Sequence, residues 1–434
     1  MIKQQDLMVR TLGERTHPSP LKLGSASHPG VSTFTCDSER IWLDPVERAG
    51  SARREPLSLE AAGARERLFF DPRKVTAAIV TCGGLSPGLN NVIRSLFCEI
   101  HEVYGVQRVL GIRNGFLGMN PESGLTPVAL DLEFVESIDK LGGTTLGSSR
   151  GPQPTTAMAD FLQSNGINIL FCVGGDGTQR GAHALSEELL RRAASIAFVG
   201  IPKTIDNDIP FVDPSFGYAT ALEKAAEVVR SAHVEARSAV HGIGLVKLMG
   251  RHAGFIAAGV SVVSQEVDFT LVPEIPFPLD GDDGLLSILE QRMRNRGHAV
   301  IVVAEGAGQH LFEQTDAQRD ASGNLLHQDI GVLLRQKIRE YFAQRGYPVE
   351  LKYFDPSYLI RSIPANVYDR YLADQMARHG VHAAMAGKTD LVIGKVGNRG
   401  VHVPISAVVS QTKAMDVSSD VWQAVLQTTG QPRW

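Results

Sequence analysis

A short glycine turn after a run of apolar residues most constrains how this chain can fold. Residues 173–177 of this turn follow the apolar stretch 167–172 and precede a helical pattern that begins near Ala182. A strand, a glycine turn and a helix in this order direct backbone N–H groups and a helix N-terminus toward one point, which predicts an anion site. The carboxylate of Asp176 would repel a bound phosphate, so we expect Mg²⁺ between them.

Apolar runs alternate with helical patterns along most of the chain. Strands are predicted at 75–82, 109–112, 167–172, 196–201, 243–248, 269–272, 299–304 and 391–396, with helices at 91–104, 157–164, 220–237, 284–295, 328–344 and 366–380. This alternation predicts an α/β fold with mainly parallel sheets, arranged as two interleaved Rossmann-like lobes. We predict an N-terminal extension (1–73), a nucleotide and Mg²⁺ lobe (74–240) to which C-terminal segments return, and a substrate lobe (241–434).

Composition limits the classes of partner and compartment. The chain has 434 residues and a net charge of −4, which gives no general attraction to nucleic acid or to an anionic membrane. Its four cysteines form no CxxC pair, so neither a zinc cluster nor a disulfide framework is predicted. The first residues lack an apolar signal core, and no apolar run is long enough to span a bilayer. We therefore expect a cytoplasmic protein.

Glycine-rich loops follow several predicted strands. They lie at 83–84, 148–151 and 174–178, and the second contains Arg150. Ligands of open parallel sheets bind beyond the carboxyl ends of the strands. One such loop is often a packing device, but three of them with an arginine and an aspartate predict a polyphosphate site.

The segment 204–208 collects hydroxyl, amide and carboxylate groups directly after another predicted strand. Clusters of this kind commonly form Asx turns and helix caps. Here the cluster is predicted to lie beside a Mg²⁺ site, where a kinase needs one carboxylate to accept the proton of the attacking hydroxyl and others on the metal side. Asp206 and Asp208 are the candidates for these two roles.

The second half of the chain adds Arg251, Lys352, Arg361 and Glu305, several of them after predicted strands. Taken singly, such residues usually form surface ion pairs. Together they predict a phosphorylated sugar, because arginine binds phosphate with two parallel hydrogen bonds and Glu305 could accept sugar hydroxyls.

Seven ordered motifs, which run from about residue 74 to about 410, resemble those of the 6-phosphofructokinases, in particular the branch with plant, trypanosomal and related bacterial members. They lie at 83–90, 147–150, 174–178, 202–209, 249–254, 304–306 and 358–361. The resemblance implies the phosphofructokinase fold and phosphoryl transfer to the 1-hydroxyl of D-fructose 6-phosphate, a step of glycolysis.

The resemblance also implies roles for individual residues. The phosphoryl donor would contact Gly84, Arg150, Gly151, Gly175, Asp176, Gly177 and Thr178, with Asp176 on Mg²⁺. Fructose 6-phosphate would contact Thr204, Ile205, Asp206, Met249, Gly250, Arg251, Glu305, Tyr358, Leu359, Ile360 and Arg361. The catalytic group would comprise Asp206 as the base, Arg150 at the transferred phosphoryl group, and Thr204, Asp208 and Arg251.

Gly177 and Lys203 bear on the donor. In this family, enzymes that use pyrophosphate typically carry Asp at the position of Gly177 and Lys at the position of Lys203. The glycine leaves room for the rest of ATP, whereas a lysine cannot exclude it, so we predict ATP as the donor, with pyrophosphate as the alternative. Gly242 and Tyr358 depart from the short bacterial enzymes, so their allosteric scheme cannot be carried over.

Two other classes of function remain open from the sequence. A sugar-phosphate or nucleotide sensor with an inactive kinase fold would not need the carboxylates of Asp176, Asp206 and Asp208. A diacylglycerol or NAD kinase would share the glycine loop but not residues 204–208 and 249–251. We expect an allosteric homodimer or homotetramer whose partners are small substrates, without nucleic acid or membrane.

Overall fold

A computed structural model describes residues 2–24, 32–44, 56–312 and 327–434. Before residue 75 the chain forms two 3-10 helices (Gln4–Leu7 and Pro72–Lys74) and five short strands: β1 (Arg10–Thr11), β2 (His17–Pro18), β3 (Arg40–Trp42), β4 (Ser58–Ala61) and β5 (Arg67–Leu68). Strands and helices then alternate: β6 (Thr76–Thr81), α1 (Leu89–Cys98), β7 (Arg108–Ile112), β8 (Val128–Ala129), α2 (Leu132–Val135), α3 (Thr155–Ser164), β9 (Ile169–Gly174), α4 (Asp176–Arg191), β10 (Ala197–Pro202) and α5 (Tyr218–Ser238).

The alternation continues to the C-terminus. These elements are β11 (Gly242–Leu248), α6 (Phe255–Ser264), β12 (Phe269–Leu271), α7 (Leu285–Arg296), β13 (Ala299–Ala304), α8 (Ile330–Gln344), β14 (Glu350–Phe354), α9 (Ser357–Arg361), α10 (Val367–Met385), β15 (Lys388–Thr389), β16 (Leu391–Val396), β17 (Arg399–Pro404), α11 (Ile405–Val409) and α12 (Asp420–Thr429). Among the residues described, no helix combines the length and the apolar character that crossing a membrane requires.

The larger sheet has nine strands in the order β3-β4-β17-β16-β10-β9-β6-β7-β8. Its centre is parallel, and the pairs formed by β4, β17 and β8 are antiparallel. Every residue of β6, β9 and β10 is buried, as expected for parallel strands with both faces covered. The three central strands therefore end side by side, and the loops that follow them meet at one edge of the sheet.

The smaller sheet is wholly parallel, in the order β12-β13-β11-β14. Because side chains alternate along a strand, Val300 and Val302 of β13 pack with α5, α6 and α12, whereas Ile301 and Val303 pack with α7 and α8. The predicted α/β fold with mainly parallel sheets is confirmed.

Of the N-terminal strands, two belong to the larger sheet, and the others form separate two-stranded sheets, β1 with β15 and β2 with β5. β3 and β4 extend the larger sheet beyond β17, and β1 pairs with β15. The chain returns to this sheet with β16 and β17, so the sheets themselves do not divide into consecutive segments at residue 240. The boundaries of the functional lobes stay predictions.

Candidate active site

A cleft of about 1440 Å³ lies between the two sheets. Its walls come from residues that follow β6, β9 and β10 on one side and β11, β13 and β14 on the other. Both sets of strands therefore present their carboxyl ends to the same space, which is where ligands of parallel sheets bind.

The turn between β9 and α4 brings the backbone close to the cleft. A Cβ added to Gly174 would lie 2.2 Å from Thr178 Oγ1, and one added to Gly175 would lie 3.3 Å from the carbonyl oxygen of Lys203. Gly175 caps α4, and the helix begins at Asp176, within the cleft wall. The unpaired N–H groups of the first helical turn therefore belong to residues that line the cleft, as an anion site requires.

Three cations converge on Gly84. A Cβ added to Gly84 would lie 3.2 Å from Arg150 Nη2 and 3.7 Å from Arg361 Nη1. Lys203 Nζ donates a hydrogen bond to the Gly84 carbonyl oxygen at 2.6 Å. Burial lowers the pKa of Lys203 to about 8. A negatively charged group bound at this turn would thus meet cations from both walls of the cleft.

The loop after β10 is held by hydrogen bonds among its own residues. Thr204 Oγ1 donates to Asp208 Oδ1 at 2.7 Å and accepts from the backbone N–H of Asp206 at 3.1 Å. Ser215 Oγ donates to the carbonyl oxygen of Thr204 at 2.7 Å, and Asn207, which has a φ of +57°, accepts from the Ser215 N–H at 3.0 Å. These bonds orient Asp208 toward Thr204 and leave the Asp206 side chain to the cleft.

Two half-buried carboxylates of the cleft each have one buried oxygen without a partner among the described residues. Oδ1 of Asp176 and Oδ1 of Asp206 have no hydrogen-bond partner among the described residues. Burial, followed by the charge of Asp208, raises the pKa of Asp176 to about 6 and that of Asp206 well above its usual range. Uncompensated oxygens close to further acidic groups are the ligand type that Mg²⁺ binds, so these residues fit a magnesium site.

The opposite wall is built from two loops that are bonded together. The backbone N–H of Glu305, after β13, donates to the carbonyl oxygen of Leu248 at 2.9 Å. The backbone N–H of Gly306 donates to the carbonyl oxygen of Gly250 at 3.1 Å. Burial raises the pKa of Glu305, and the positive charge of Arg251 opposes this rise. The Asp206 carboxylate accepts a hydrogen bond from the backbone N–H of Arg251, so the two walls are in direct contact.

The helix α9 completes this wall through an ion-pair network. Lys247 Nζ lies 2.9 Å from Asp355 Oδ2, and Asp355 Oδ1 accepts a hydrogen bond from Ser357 Oγ at 2.6 Å. The Arg361 guanidinium lies 4.5 Å from the ring centre of Tyr358. The start of the helix and its arginine are therefore fixed in relation to β11.

The structure brings most of the predicted site residues to the cleft wall. These are Gly84, Arg150, Gly151, Gly175, Asp176, Gly177, Thr178, Lys203, Thr204, Ile205, Asp206, Asp208, Met249, Arg251, Glu305, Tyr358 and Arg361. Four others do not line the cleft. Ile360 is 1% exposed in the core beneath α9, Leu359 is 68% exposed, and the carbonyl of Gly250 bonds to Gly306. Lys352 lies on β14, away from this wall.

Other lining residues were not recognised as site candidates from the sequence. Arg180 lies one helical turn after Asp176 and opposes the rise in its pKa. Spacing of four residues would have indicated this pair, but the helix was expected to begin near Ala182, six residues too late. Lys247 lies within an apolar strand, and a single lysine in such a strand does not indicate a binding site.

Comparisons with known proteins identify the family of this chain. The family model described as Phosphofructokinase matches residues 76–384. An ATP-dependent 6-phosphofructokinase of Borreliella burgdorferi is 44% identical over 98% of this chain and 97% of its own length. ATP-dependent 6-phosphofructokinase 1 of Arabidopsis thaliana is 42% identical over 96% of this chain and 88% of its own length. The chain belongs to the phosphofructokinase family, and the predicted resemblance is confirmed.

The fold agrees with solved structures. A crystal structure named as the pyrophosphate-dependent phosphofructokinase of Marinobacter aquaeolei superposes with a TM-score of 0.65 at 22% identity and covers 83% of this chain and 92% of that one. At this identity the likeness shows the fold alone.

Proposed function

We propose that this protein transfers the terminal phosphoryl group of ATP to the 1-hydroxyl of D-fructose 6-phosphate and so forms fructose 1,6-bisphosphate and ADP in glycolysis. The observation that carries the proposal is the cleft itself, where the half-buried carboxylate of Asp206 lies between a glycine-built anion site and a wall that holds Arg251 and Arg361. The names of the full-length bacterial and plant relatives support the same reaction.

The donor is proposed to be ATP. Gly177 lines the cleft and is exposed, so no side chain there opposes a large donor. Lys203 is occupied by its hydrogen bond to the Gly84 carbonyl, and it thereby holds two donor-side loops together. A pyrophosphate-dependent enzyme is the alternative, because the lysine is the residue typical of pyrophosphate users.

Asp206 is proposed to accept the proton of the sugar 1-hydroxyl as the hydroxyl attacks the donor. Its raised pKa suits a proton acceptor better than an ordinary aspartate would. Arg150 offsets the charge that builds on the transferred phosphoryl group, and Thr204 keeps Asp208 in place on the donor side. The chemistry that Mg²⁺ supplies, when held by Asp176, is neutralisation of the donor's phosphate charge.

The sugar phosphate is proposed to bind against the second wall. Arg251 and Arg361 supply cations for its phosphate, and Glu305, which is buried beside Arg251, accepts sugar hydroxyls. Met249 and Tyr358 shape the rest of the pocket. We also propose a cytoplasmic, allosteric homodimer or homotetramer, on the resemblance to the family.

The deciding experiment compares initial rates of fructose 6-phosphate phosphorylation with ATP and with pyrophosphate at equal Mg²⁺. We expect turnover with ATP and little with pyrophosphate. Turnover with pyrophosphate only would reverse the choice of donor. Binding of ATP and of fructose 6-phosphate without turnover by either donor would instead favour a sensor.

A further inference from the structure

The chain segment after α11 contacts the loop that carries Asp206. The backbone N–H of Lys413 donates to the carbonyl oxygen of Asp208 at 3.3 Å. Its Nζ donates to the carbonyl oxygen of Val212 at 2.9 Å and lies 3.4 Å from Asp213 Oδ1. One residue from a distant part of the sequence therefore fixes this loop at three points.

The same segment also reaches the second wall of the cleft. The backbone N–H of Met415 donates to Glu274 Oε1 at 2.8 Å. That carboxylate also accepts from the backbone N–H of Gly254, with 2.9 Å to Oε1 and 3.1 Å to Oε2. Gly254 ends the loop that contains Arg251. Residues 413–415, here called the C-terminal strap, thus link both catalytic loops.

The strap is packed rather than loosely attached. The Lys413 side chain is 19% exposed, and its Nζ lies 5.0 Å from the ring centre of Phe255. Met415 is 4% exposed in the core of α5, α6 and α12. A mostly buried ammonium loses hydration, which lowers the pKa of Lys413, and the contacts with the Val212 carbonyl and the Asp213 carboxylate offset part of that loss.

We propose that Lys413 is a positioning residue that holds the 204–213 loop so that the Asp206 carboxylate stays in register with Arg251. The Asp206 carboxylate accepts the backbone N–H of Arg251, so its place depends on how these two loops are held relative to each other. The inference rests on the proposed role of Asp206. Phosphoryl transfer depends on placement of the reacting groups, and a shift of about 1 Å can lower a rate roughly 100-fold.

The test compares Lys413→Met with the wild type. This change keeps the unbranched stem and the backbone N–H but removes the ammonium that contacts Val212 and Asp213. We expect kcat to fall roughly 10- to 100-fold while the KM for fructose 6-phosphate stays within about threefold, because Arg251 and Arg361 remain. Lys413→Arg, which retains a cation, should recover most of kcat.

Lys224→Met is the matched control, since Lys224 on α5 pairs with Glu227 at 2.6 Å and does not line the cleft. It should leave kcat and KM unchanged. Folding is checked by circular dichroism and thermal unfolding. If Lys413→Met does not fold, Lys413→Gln, whose amide can still donate to the Val212 carbonyl but carries no charge for Asp213, takes its place; a smaller fall in kcat is then expected, with KM again within about threefold.

The inference would be overturned if folded Lys413→Met had the wild-type kcat. It would also be overturned if kcat and fructose 6-phosphate binding fell together, in proportion to the loss of folded protein. Asp206→Asn is assayed alongside. If that variant keeps the wild-type rate, the proposed base is wrong. If it loses the rate while Lys413→Met keeps it, the strap inference alone fails.

Discussion

The carboxylates of the cleft are half-buried and the carboxylate that anchors β4 is buried, and their surroundings differ. In the cleft, Asp176 and Asp206 lie near the further carboxylate of Asp208. Each has an oxygen without a hydrogen-bond partner among the described residues, and each pKa is raised. The folded protein therefore pays in stability for keeping these charges, which is typical of a functional site.

At the edge of the larger sheet, the carboxylate of Glu60 is surrounded by cations and donors. Its oxygens lie 2.9 Å from Lys388 Nζ, 2.8 Å from Arg65 Nη2 and 3.1 Å from His402 Nδ1. Burial alone would raise the pKa of Glu60, but hydrogen bonds and charges from His402 and Lys388 lower it to about 2. Here the charges are satisfied, and they stabilise the docking of β4. Opposite pKa shifts thus separate a reactive cluster from a structural one.

The largest expected effect is on the reaction, from Asp206→Asn. Loss of a general base typically costs roughly 10²- to 10⁴-fold in rate, so kcat should fall by this amount. Removal of one of several mutually repelling charges should leave the melting temperature equal or higher, and fructose 6-phosphate should still bind. Rates, calorimetric binding and thermal unfolding measure the three outcomes. A clear drop in the melting temperature would show that the cleft carboxylate is structural as well.

The next effect is on stability, from Glu60→Gln. This change leaves the buried cations of Lys388 and Arg65 with only the half-exposed carboxylate of Asp37 as a counter-charge, and breaking a buried pair typically costs about 3–5 kcal/mol. Denaturant unfolding at neutral pH measures the loss, while kcat of the folded fraction should be unchanged. Glu66→Gln, in the same segment but exposed, is the control. A loss below about 1 kcal/mol would contradict the contrast between the clusters.

The stability difference between the wild type and Glu60→Gln should depend on pH. Because the pKa of Glu60 is lowered to about 2, the unfolded chain binds this proton more readily than the folded one. The stability that Glu60 contributes is present above the unfolded pKa of about 4.5 and is lost as the pH falls toward 2. The difference in unfolding free energy between wild type and Glu60→Gln should therefore shrink across this window, and a constant difference would contradict it.

A smaller effect is expected from an added charge in the cleft, through Gly177→Asp. A third acidic side chain beside Asp176 and Asp208 both fills space and repels the donor. We expect kcat/KM with ATP to fall by roughly 10- to 100-fold and any activity with pyrophosphate to change less. Equal losses with both donors would contradict the steric role of position 177 in the choice of donor.

Sequence analysis predicted those parts of the site that local sequence patterns determine. The glycine turns after β6 and β9 and the loop after β10 follow apolar runs, so parallel-sheet topology predicted that Asp176 and Asp206 lie at the same edge of the sheet. Sequence analysis did not predict the residues whose roles depend on tertiary contacts. Nothing near Lys413 in the sequence indicates that its side chain reaches Val212, and Glu60 appeared only as one acid in a mixed segment.

The smallest effect tests whether the uncompensated cleft carboxylates are a magnesium site. A ligand that binds only the folded state stabilises it by RT ln(1 + [L]/Kd), so Mg²⁺ alone, without nucleotide, should raise the melting temperature of the wild type by a few degrees. In Asp176→Asn the metal-free protein should melt at or above the wild-type temperature, because burial and Asp208 disfavour the charge at this position. The added Mg²⁺ should then have little effect. An equal Mg²⁺ shift in both proteins would place the ion elsewhere.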